Sequence, residues 1–212
     1  MSIVRAVNVG KAIEVESKSG RSGIDKRPVD GAVLVTAPGA GGSGLAGDEI
    51  IDGRVHGGPV QAVYAYARED LDRWQTELGV VLADGVFGEN LTTVGIDITG
   101  TKVGELWRVG EELVLRVTTP RMPCRTFAAW LDREGWVKTF TQHAVPGTYL
   151  SVEEPGHVRA GDRVTVLERP GHGVTVGMAF RAVTLEPELL PGIDVDGVHE
   201  ELRATARKRI SA

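Results

Sequence analysis

Turns made of a glycine next to a carboxylate recur along the first two thirds of the chain, and they restrict its fold more than any other feature. They occur in LAGDEI (45–50), KVGELW (102–107) and VRAGDRV (158–164), each time between two extended segments. Glycine beside Asp or Glu is typical of the turns that join neighbouring strands. Many such turns favour a meander or a β-barrel.

The segments between these turns alternate as half-buried strands do. In LVLRVT (113–118), the apolar residues Leu113, Leu115 and Val117 alternate with other residues, and RVTVLE (163–168) has the same pattern. A period of two places the apolar side chains on one face of a strand. The sequence therefore predicts a mainly β fold built on antiparallel strands.

Two segments, 68–78 and 126–135, have helical rather than strand spacing. Each repeats large apolar residues three or four positions apart: Leu71, Trp74 and Leu78 in the first, and Phe127, Trp130 and Leu131 in the second. Thr126 is a candidate N-cap for the second helix. One apolar face per helix predicts that both pack on the sheet.

After residue 170 the period changes to that of helices. The apolar positions with this spacing are Val176, Ala179, Phe180 and Val183, followed by Val198, Leu202 and Ala206. We predict a β domain over residues 1–170 and a small helical appendage over 171–212.

Composition excludes several classes of protein. The 212 residues are 42% hydrophobic and 25% charged with a net charge of −5, which is typical of a soluble globular protein and argues against nucleic acid as a partner. No apolar run approaches the roughly 20 residues of a membrane-spanning helix, and we expect no secretion signal. A single cysteine cannot form a disulfide within the chain, so we expect a cytoplasmic protein.

The glycine run in AVLVTAPGAGGSG (32–44) resembles a dinucleotide-binding fingerprint. Gly39, Gly41 and Gly44 have the G-x-G-x-x-G spacing after a predicted strand. The fingerprint also requires a helix that opens within the glycines, and the following LAGDEIIDGRVHGG has no amphipathic repeat. We interpret the run as a loop.

Three stretches carry candidate functional residues. The first, GDEIIDGRVHGG (47–58), places Arg54 and His56 in a turn-rich segment, although His56 alone is equally typical of a surface loop. The second, FGENLTT (87–93), offers the Glu89 carboxylate and the Asn90 amide, or only a turn with a local side-chain hydrogen bond.

The third stretch, TTPRMPCRTF (118–127), contains the single cysteine. Arg121 and Arg125 flank Cys124, and nearby cations stabilise a thiolate, the form that binds soft metals or attacks electrophiles. A free cysteine can also be buried apolar filler. The residues alone leave both interpretations open.

The three stretches above and GIDKRPV (23–29), taken in their order and spacing, resemble the motifs of the MOSC domain family. This family is named after the C-terminal domain of molybdenum cofactor sulfurases. The similarity runs from about residue 24 to about 168, and it is strongest to stand-alone bacterial members that reduce N-hydroxylated purines such as 6-hydroxylaminopurine. The tail from GVTVGMAF (173–180) onward resembles the three-helix extension of some members. The resemblance implies a MOSC-type β-barrel with packed helices.

The resemblance also implies a molybdenum pterin cofactor (Mo-molybdopterin) with Cys124 as the protein ligand to the metal. The residues implied to bind the cofactor are Lys26, Arg27, Arg54, His56, Glu89, Asn90, Arg121 and Arg125. Lys26 and Arg27 would lie near the pterin phosphate. Arg121 and His56 join Cys124 as candidate catalytic residues, with His56 a possible proton donor.

The implied reaction is a two-electron reductive dehydroxylation of an N–OH group, which would detoxify N-hydroxylated bases. Since one cysteine cannot hold an iron–sulfur cluster and no flavin motif is visible, an external flavin or iron–sulfur reductase is the expected partner. Either a monomer or a homodimer fits the sequence. Two alternatives remain open: a protein that binds or delivers the cofactor without turnover, and a persulfide sulfur carrier that uses Cys124.

Overall fold

The computed structural model, which describes residues 1–16, 20–53 and 56–211, is organised around one large β-sheet. The strands are β1 (Ile3–Gly10), β2 (Ile13–Glu14), β3 (Arg21–Ser22), β4 (Lys26–Pro28), β5 (Val33–Val35), β6 (Val63–Ala67), β7 (Leu91–Val94), β8 (Leu106–Val109), β9 (Leu113–Pro120), β10 (Thr148–Glu154), β11 (Gly156–Val158) and β12 (Val164–Glu168). The helices are α1 (Arg68–Leu78), α2 (Arg125–Trp130), α3 (Trp136–His143), α4 (Val176–Thr184), α5 (Leu190–Ile193) and α6 (Glu200–Ile210). A fold dominated by β-structure with several helices is confirmed.

Eight of these strands form one mixed sheet in the order β12-β8-β9-β10-β6-β7-β1-β4. Neighbours are antiparallel except β6 and β7, which run parallel and align Ala65 with Leu91. A parallel pair needs a crossover connection, and α1 lies in the segment that joins these two strands. The helix thereby places the loop 85–90, which belongs to the candidate site, at the end of the sheet where β7 begins.

The strand order is open, with β12 and β4 at its edges, so the barrel stays a prediction. Beyond the ladder, the beginning of β1 bonds to the turn that precedes β12. The Val4 N–H donates to the Asp162 carbonyl at 2.8 Å, and the Val164 N–H donates to the Ser2 carbonyl at 2.9 Å. These bonds hold β1 against the chain at the beginning of β12, although the two strands stand far apart in the order of the sheet.

Helix α1 begins and ends where its apolar spacing predicts, whereas α2 and α3 differ from the prediction. The second helix starts at Arg125 with Cys124 at the N-cap, so the Thr126 cap was wrong. The eight residues of α3 were not predicted, because only Trp136 and Phe140 are buried along it and two positions do not define a helical period.

The apolar core has two parts. One contains most of the aliphatic side chains of the strands together with residues of α4, α5 and α6. The other is aromatic and includes, directly or at its margin, every aromatic residue of the chain except Trp107. Arg121 stacks on this aromatic cluster, which links it to the candidate site.

Residues of the C-terminal segment take part in both clusters. Val176 and Ala179 of α4 belong to the aliphatic cluster, and Phe180 contacts Phe140 in the aromatic one at a ring distance of 6.5 Å. The division at residues 170 and 171 stays a prediction. Within the described residues, no helix has the length and apolar character that a membrane span requires.

Candidate active site

A cavity of about 1190 Å³ lies between β3, β4, the segments 49–52 and 56–62, the loop 88–90 and the start of α2. Ligand pockets commonly have volumes of roughly 300–1,000 Å³, so this cavity can hold a cofactor together with a small substrate. Its polar wall includes Lys26, His56, Gln61, Asn90, Arg121, Cys124 and Tyr149. Its apolar wall includes Ile24, Ile50, Ile51, Ala128 and Ala129.

The Cys124 thiol is half-buried at the wall of this cavity. Burial by itself raises the pKa of the thiol. A hydrogen bond with the His56 imidazole, the charge of Arg121 and the N–H of Phe127 outweigh burial and lower the pKa to about 7. About half of the thiol is therefore ionised at neutral pH, which is the condition for a nucleophile or a soft-metal ligand.

Arg121 is a buried cation held by aromatic rings. Its guanidinium carbon lies 4.0 Å from the centroid of the Phe127 ring and 5.0 Å from that of Tyr64, and its N–H donates to the Phe87 carbonyl. A guanidinium keeps its proton and stacks well on aromatic faces. Arg121 is thus a permanent positive charge three residues before the thiol.

The lowered pKa predicts how Cys124 reacts with an alkylating reagent. Because the thiolate is the nucleophile, the rate with iodoacetamide should rise with pH and reach half its maximum near pH 7, below the ordinary thiol value of about 8.5. His56→Ala removes a hydrogen bond to the thiolate and should move the midpoint to higher pH. His143→Ala removes a histidine paired with Glu77 on the surface and should leave it unchanged. A wild-type midpoint near pH 8.5 would contradict the predicted thiolate.

A second polar group, which includes the wall residues Lys26, Ser43 and Asn90, is centred on Asp48, whose side chain is fully buried. Its carboxylate pairs with the Lys26 ammonium and accepts from the Ser43 hydroxyl at 2.6 Å and from the Asn90 amide at 3.0 Å. The Gly10 N–H also donates to it at 2.8 Å. One carboxylate therefore joins β1, β4, the glycine-rich loop and the loop 85–90.

Residues 52–165 match the MOSC domain family. This segment is more than half of the 212 residues and contains His56, Asn90, Arg121 and Cys124. The chain belongs to the MOSC family.

Relatives agree with this assignment. YflK of Bacillus subtilis is 33% identical over 180 residues, which cover 84% of this MOSC chain and 79% of YflK. YiiM of Escherichia coli is 34% identical over 70% of this chain and 65% of its own length. The crystal structure of YiiM aligns with 99% of this chain and 92% of its own, with a TM-score of 0.74 and 25% identity. A protein named Reductase from Gibberella moniliformis is 30% identical over 70% of this chain but only 26% of its own length.

Several residues implied by the MOSC resemblance do line the cavity. They are Lys26, His56, Asn90, Arg121, Cys124 and Arg125. Arg54 lies outside the described residues. Of the cations among them, Arg121 is buried, Lys26 is buried in its ion pair, and Arg125 is exposed at the first position of α2.

Arg27 does not share the position of Lys26. The two are adjacent on β4, and successive side chains of a strand point to opposite faces. Lys26 lines the cavity, whereas Arg27 is exposed and pairs with Asp25 at 2.8 Å. Only one of the two predicted phosphate-binding cations therefore reaches the pocket.

Glu89 is buried inside its own loop and does not line the cavity, contrary to what the sequence implied. Its carboxylate accepts from the Gly85 N–H at 2.6 Å, the Phe87 N–H at 3.0 Å and the Thr92 hydroxyl at 2.8 Å. Burial raises the pKa of this carboxyl, and these hydrogen bonds oppose the shift. The contacts show Glu89 shaping the loop that carries Phe87 and Asn90.

The Asn90 amide lines the cavity, but all its hydrogen bonds go to the protein. Its oxygen accepts from the Tyr64 N–H at 3.1 Å, and its nitrogen donates to the Asp48 carboxylate at 3.0 Å and to the Asn8 carbonyl at 3.3 Å. In this arrangement Asn90 fixes Asp48 and the edge of β6.

Sequence reasoning did not assign Gln61, Tyr64 and Tyr149 to the wall, and it placed Asp48 in a turn-rich segment without giving its carboxylate a role. Asp48 stood in a recognised stretch, but nothing in its spacing shows that its carboxylate reaches Lys26, 22 residues away. Tyr64 and Tyr149 are 85 residues apart in the sequence, and no motif links them. They become neighbours only because β10 pairs with β6 and aligns Tyr149 with Tyr64.

Proposed function

We propose that this MOSC protein is a molybdenum-cofactor-dependent oxidoreductase that reduces N-hydroxylated compounds to amines, with hydroxylaminopurine-like bases as substrates. The observation that carries the proposal is the Cys124 thiol, with its pKa lowered to about 7, on the wall of a large cavity in a MOSC fold. A thiolate ligand suits molybdenum held by the soft sulfurs of a pterin dithiolene.

The donor set of the cavity fits such a cofactor. Besides the thiol, the wall offers the cations Lys26 and Arg125 for an anionic phosphate. The Gln61 side-chain oxygen, at the same wall, is buried without a hydrogen-bond partner among the described residues. Since buried acceptors are normally satisfied, an N–H donor of a bound pterin is a suitable partner for it.

In this proposal Cys124 holds the metal, and His56 and Arg121 keep its sulfur ionised. The cofactor, when bound, supplies the two-electron redox chemistry. Arg125, which is exposed at the start of α2, and Lys26 attract the phosphate, although Lys26 shares its charge with Asp48. His56 orients the thiolate through the hydrogen bond between the two side chains. The apolar wall around Ala128 and Ala129 gives a planar base a surface to contact.

The reaction consumes two electrons and two protons for each N–OH group, which leaves as water. With one cysteine in the chain, the electrons are proposed to come from a separate flavin or iron–sulfur reductase.

The test is to produce the protein in a host that makes the cofactor, and then to measure molybdenum, pterin fluorescence and reduction of 6-hydroxylaminopurine with a reduced viologen dye as donor. We expect stoichiometric molybdenum and formation of the amine. Molybdenum without amine formation would favour a binding or delivery protein instead. Thiol-dependent sulfur transfer by metal-free protein would favour the persulfide carrier.

A further inference from the structure

Tyr149 lines the same cavity as Cys124 and Arg121. It lies in β10 opposite Tyr64 of β6, and the two ring centroids are 5.2 Å apart. Tyr64 in turn lies beneath the Arg121 guanidinium at 5.0 Å. The pairing of two strands thus places a phenol in the wall that holds the thiol and the buried cation.

The three tyrosines of the chain differ in what their hydroxyls contact. The Tyr64 hydroxyl donates to the Pro146 carbonyl at 2.8 Å, and the Tyr66 hydroxyl donates to the Val145 carbonyl at 2.8 Å. Among the described residues, the Tyr149 hydroxyl has no hydrogen-bond acceptor on the backbone or on a side chain. The Tyr149 side chain lines the cavity. Its O–H is therefore the phenol available to a ligand.

The surroundings keep this phenol protonated and prepare it to lose its proton to a reacting group. Burial raises the pKa of Tyr149, so the O–H is intact at neutral pH, and the positive charge of Arg121 opposes that shift. Arg121 would also stabilise negative charge that develops on the phenol oxygen. Two other proton donors in the wall already have protein partners, since His56 contacts Cys124 and Lys26 contacts Asp48.

We propose that Tyr149 is a catalytic residue that donates its proton to the hydroxyl oxygen of the N–OH substrate as the N–O bond breaks. This inference rests on the function proposed above. Two electrons from the external reductase and two protons convert R–NH–OH into R–NH₂ and water. Tyr149 supplies the proton that lets the oxygen leave as water rather than hydroxide, and the second proton and the reprotonation of the phenol come from solvent.

The kinetic test compares Tyr149→Phe with Tyr66→Phe. Both remove one phenol oxygen from the same aromatic cluster, but Tyr66 does not line the cavity. Loss of a general acid typically costs about 100-fold or more in kcat, so Tyr149→Phe should fall by at least that factor on the N–OH substrate. Tyr66→Phe should retain wild-type kcat.

The leaving group separates a proton donor from a structural residue. In the O-acetyl ester of the same N-hydroxy compound, acetate leaves without prior protonation, so Tyr149→Phe should reduce this ester at nearly the wild-type rate. An equal loss on the ester and on the N–OH compound would overturn the assignment. A wild-type protein that reduces neither compound would instead contradict the proposed function.

A spectroscopic measurement tests contact without turnover. The chain has only three tyrosines, so labelling them with ¹³C at Cζ gives three signals. The signal that disappears in Tyr149→Phe belongs to Tyr149, the one that disappears in Tyr66→Phe belongs to Tyr66, and the third belongs to Tyr64. Adding the N-hydroxy compound to the oxidised holoenzyme, with no electron donor, should shift the Tyr149 signal and leave that of Tyr66 in place. An unmoved Tyr149 signal under saturating compound would overturn the contact.

Discussion

Cys124→Ser is expected to remove all molybdenum-dependent turnover while the protein stays folded. Serine is close to cysteine in size, but its hydroxyl is a poor ligand for a soft metal and does not ionise near neutral pH. The thiol is half-buried at a cavity wall, so the substitution should change the free energy of unfolding by no more than about 1 kcal/mol. Urea unfolding, molybdenum content and amine formation would be measured on the same preparation.

Three results of this experiment have different meanings. A folded serine variant that loses both molybdenum and activity supports Cys124 as the ligand. Loss of activity with full molybdenum content would mean that other groups bind the cofactor and that the Cys124 thiol is needed only for turnover. Full molybdenum-dependent turnover in the serine variant would show that Cys124 is not the ligand.

The sequence predicted the centre of the candidate site better than its periphery. Cys124 could be found because it is the single cysteine and stands between arginines, and the structure adds the His56 hydrogen bond that lowers its pKa. Arg27 and Glu89 were assigned by position within a motif. A motif does not say which face of a strand a side chain occupies, nor whether its oxygens are used by its own loop.

The same distinction applies to the fold. Alternation predicted β9, and helical spacing predicted α1 to the residue, because both patterns are local. The parallel pairing of β6 with β7 depends on contacts between segments that no period records. The contact between Asp48 and Lys26 is of this non-local kind, and it has the largest expected effect on stability.

Asp48→Ala is expected to destabilise the protein by about 3–5 kcal/mol, because it leaves the buried Lys26 ammonium without its counter-charge. The substitution also removes the acceptor used by Ser43, Asn90 and the Gly10 N–H. These donors come from separate segments of the chain, and Ser43 and Asn90 line the cavity, so the loss should appear as a lower urea midpoint and as weaker retention of the cofactor.

The neighbouring carboxylate provides a matched control. Glu49 follows Asp48 in sequence, but its side chain is 45% exposed and pairs with Lys11, which is 69% exposed. Solvent screens such a pair, so Glu49→Ala should lower the urea midpoint far less than Asp48→Ala. Equal losses for the two variants would show that the buried pair has no special role.

Lys26→Met tests the other half of the pair and should be milder. It leaves the Asp48 carboxylate bonded to three donors, and hydrogen bonds of this kind stabilise a carboxylate. Adding Lys26→Met to Asp48→Ala removes the uncompensated ammonium, so the double variant should be more stable than Asp48→Ala alone. A double variant whose loss equals the sum of the two single losses would mean that the charges do not interact. In that case Lys26 would act on a bound phosphate independently of Asp48. Lys26→Met should then weaken cofactor retention by the same factor in the wild-type protein and in the Asp48→Ala variant.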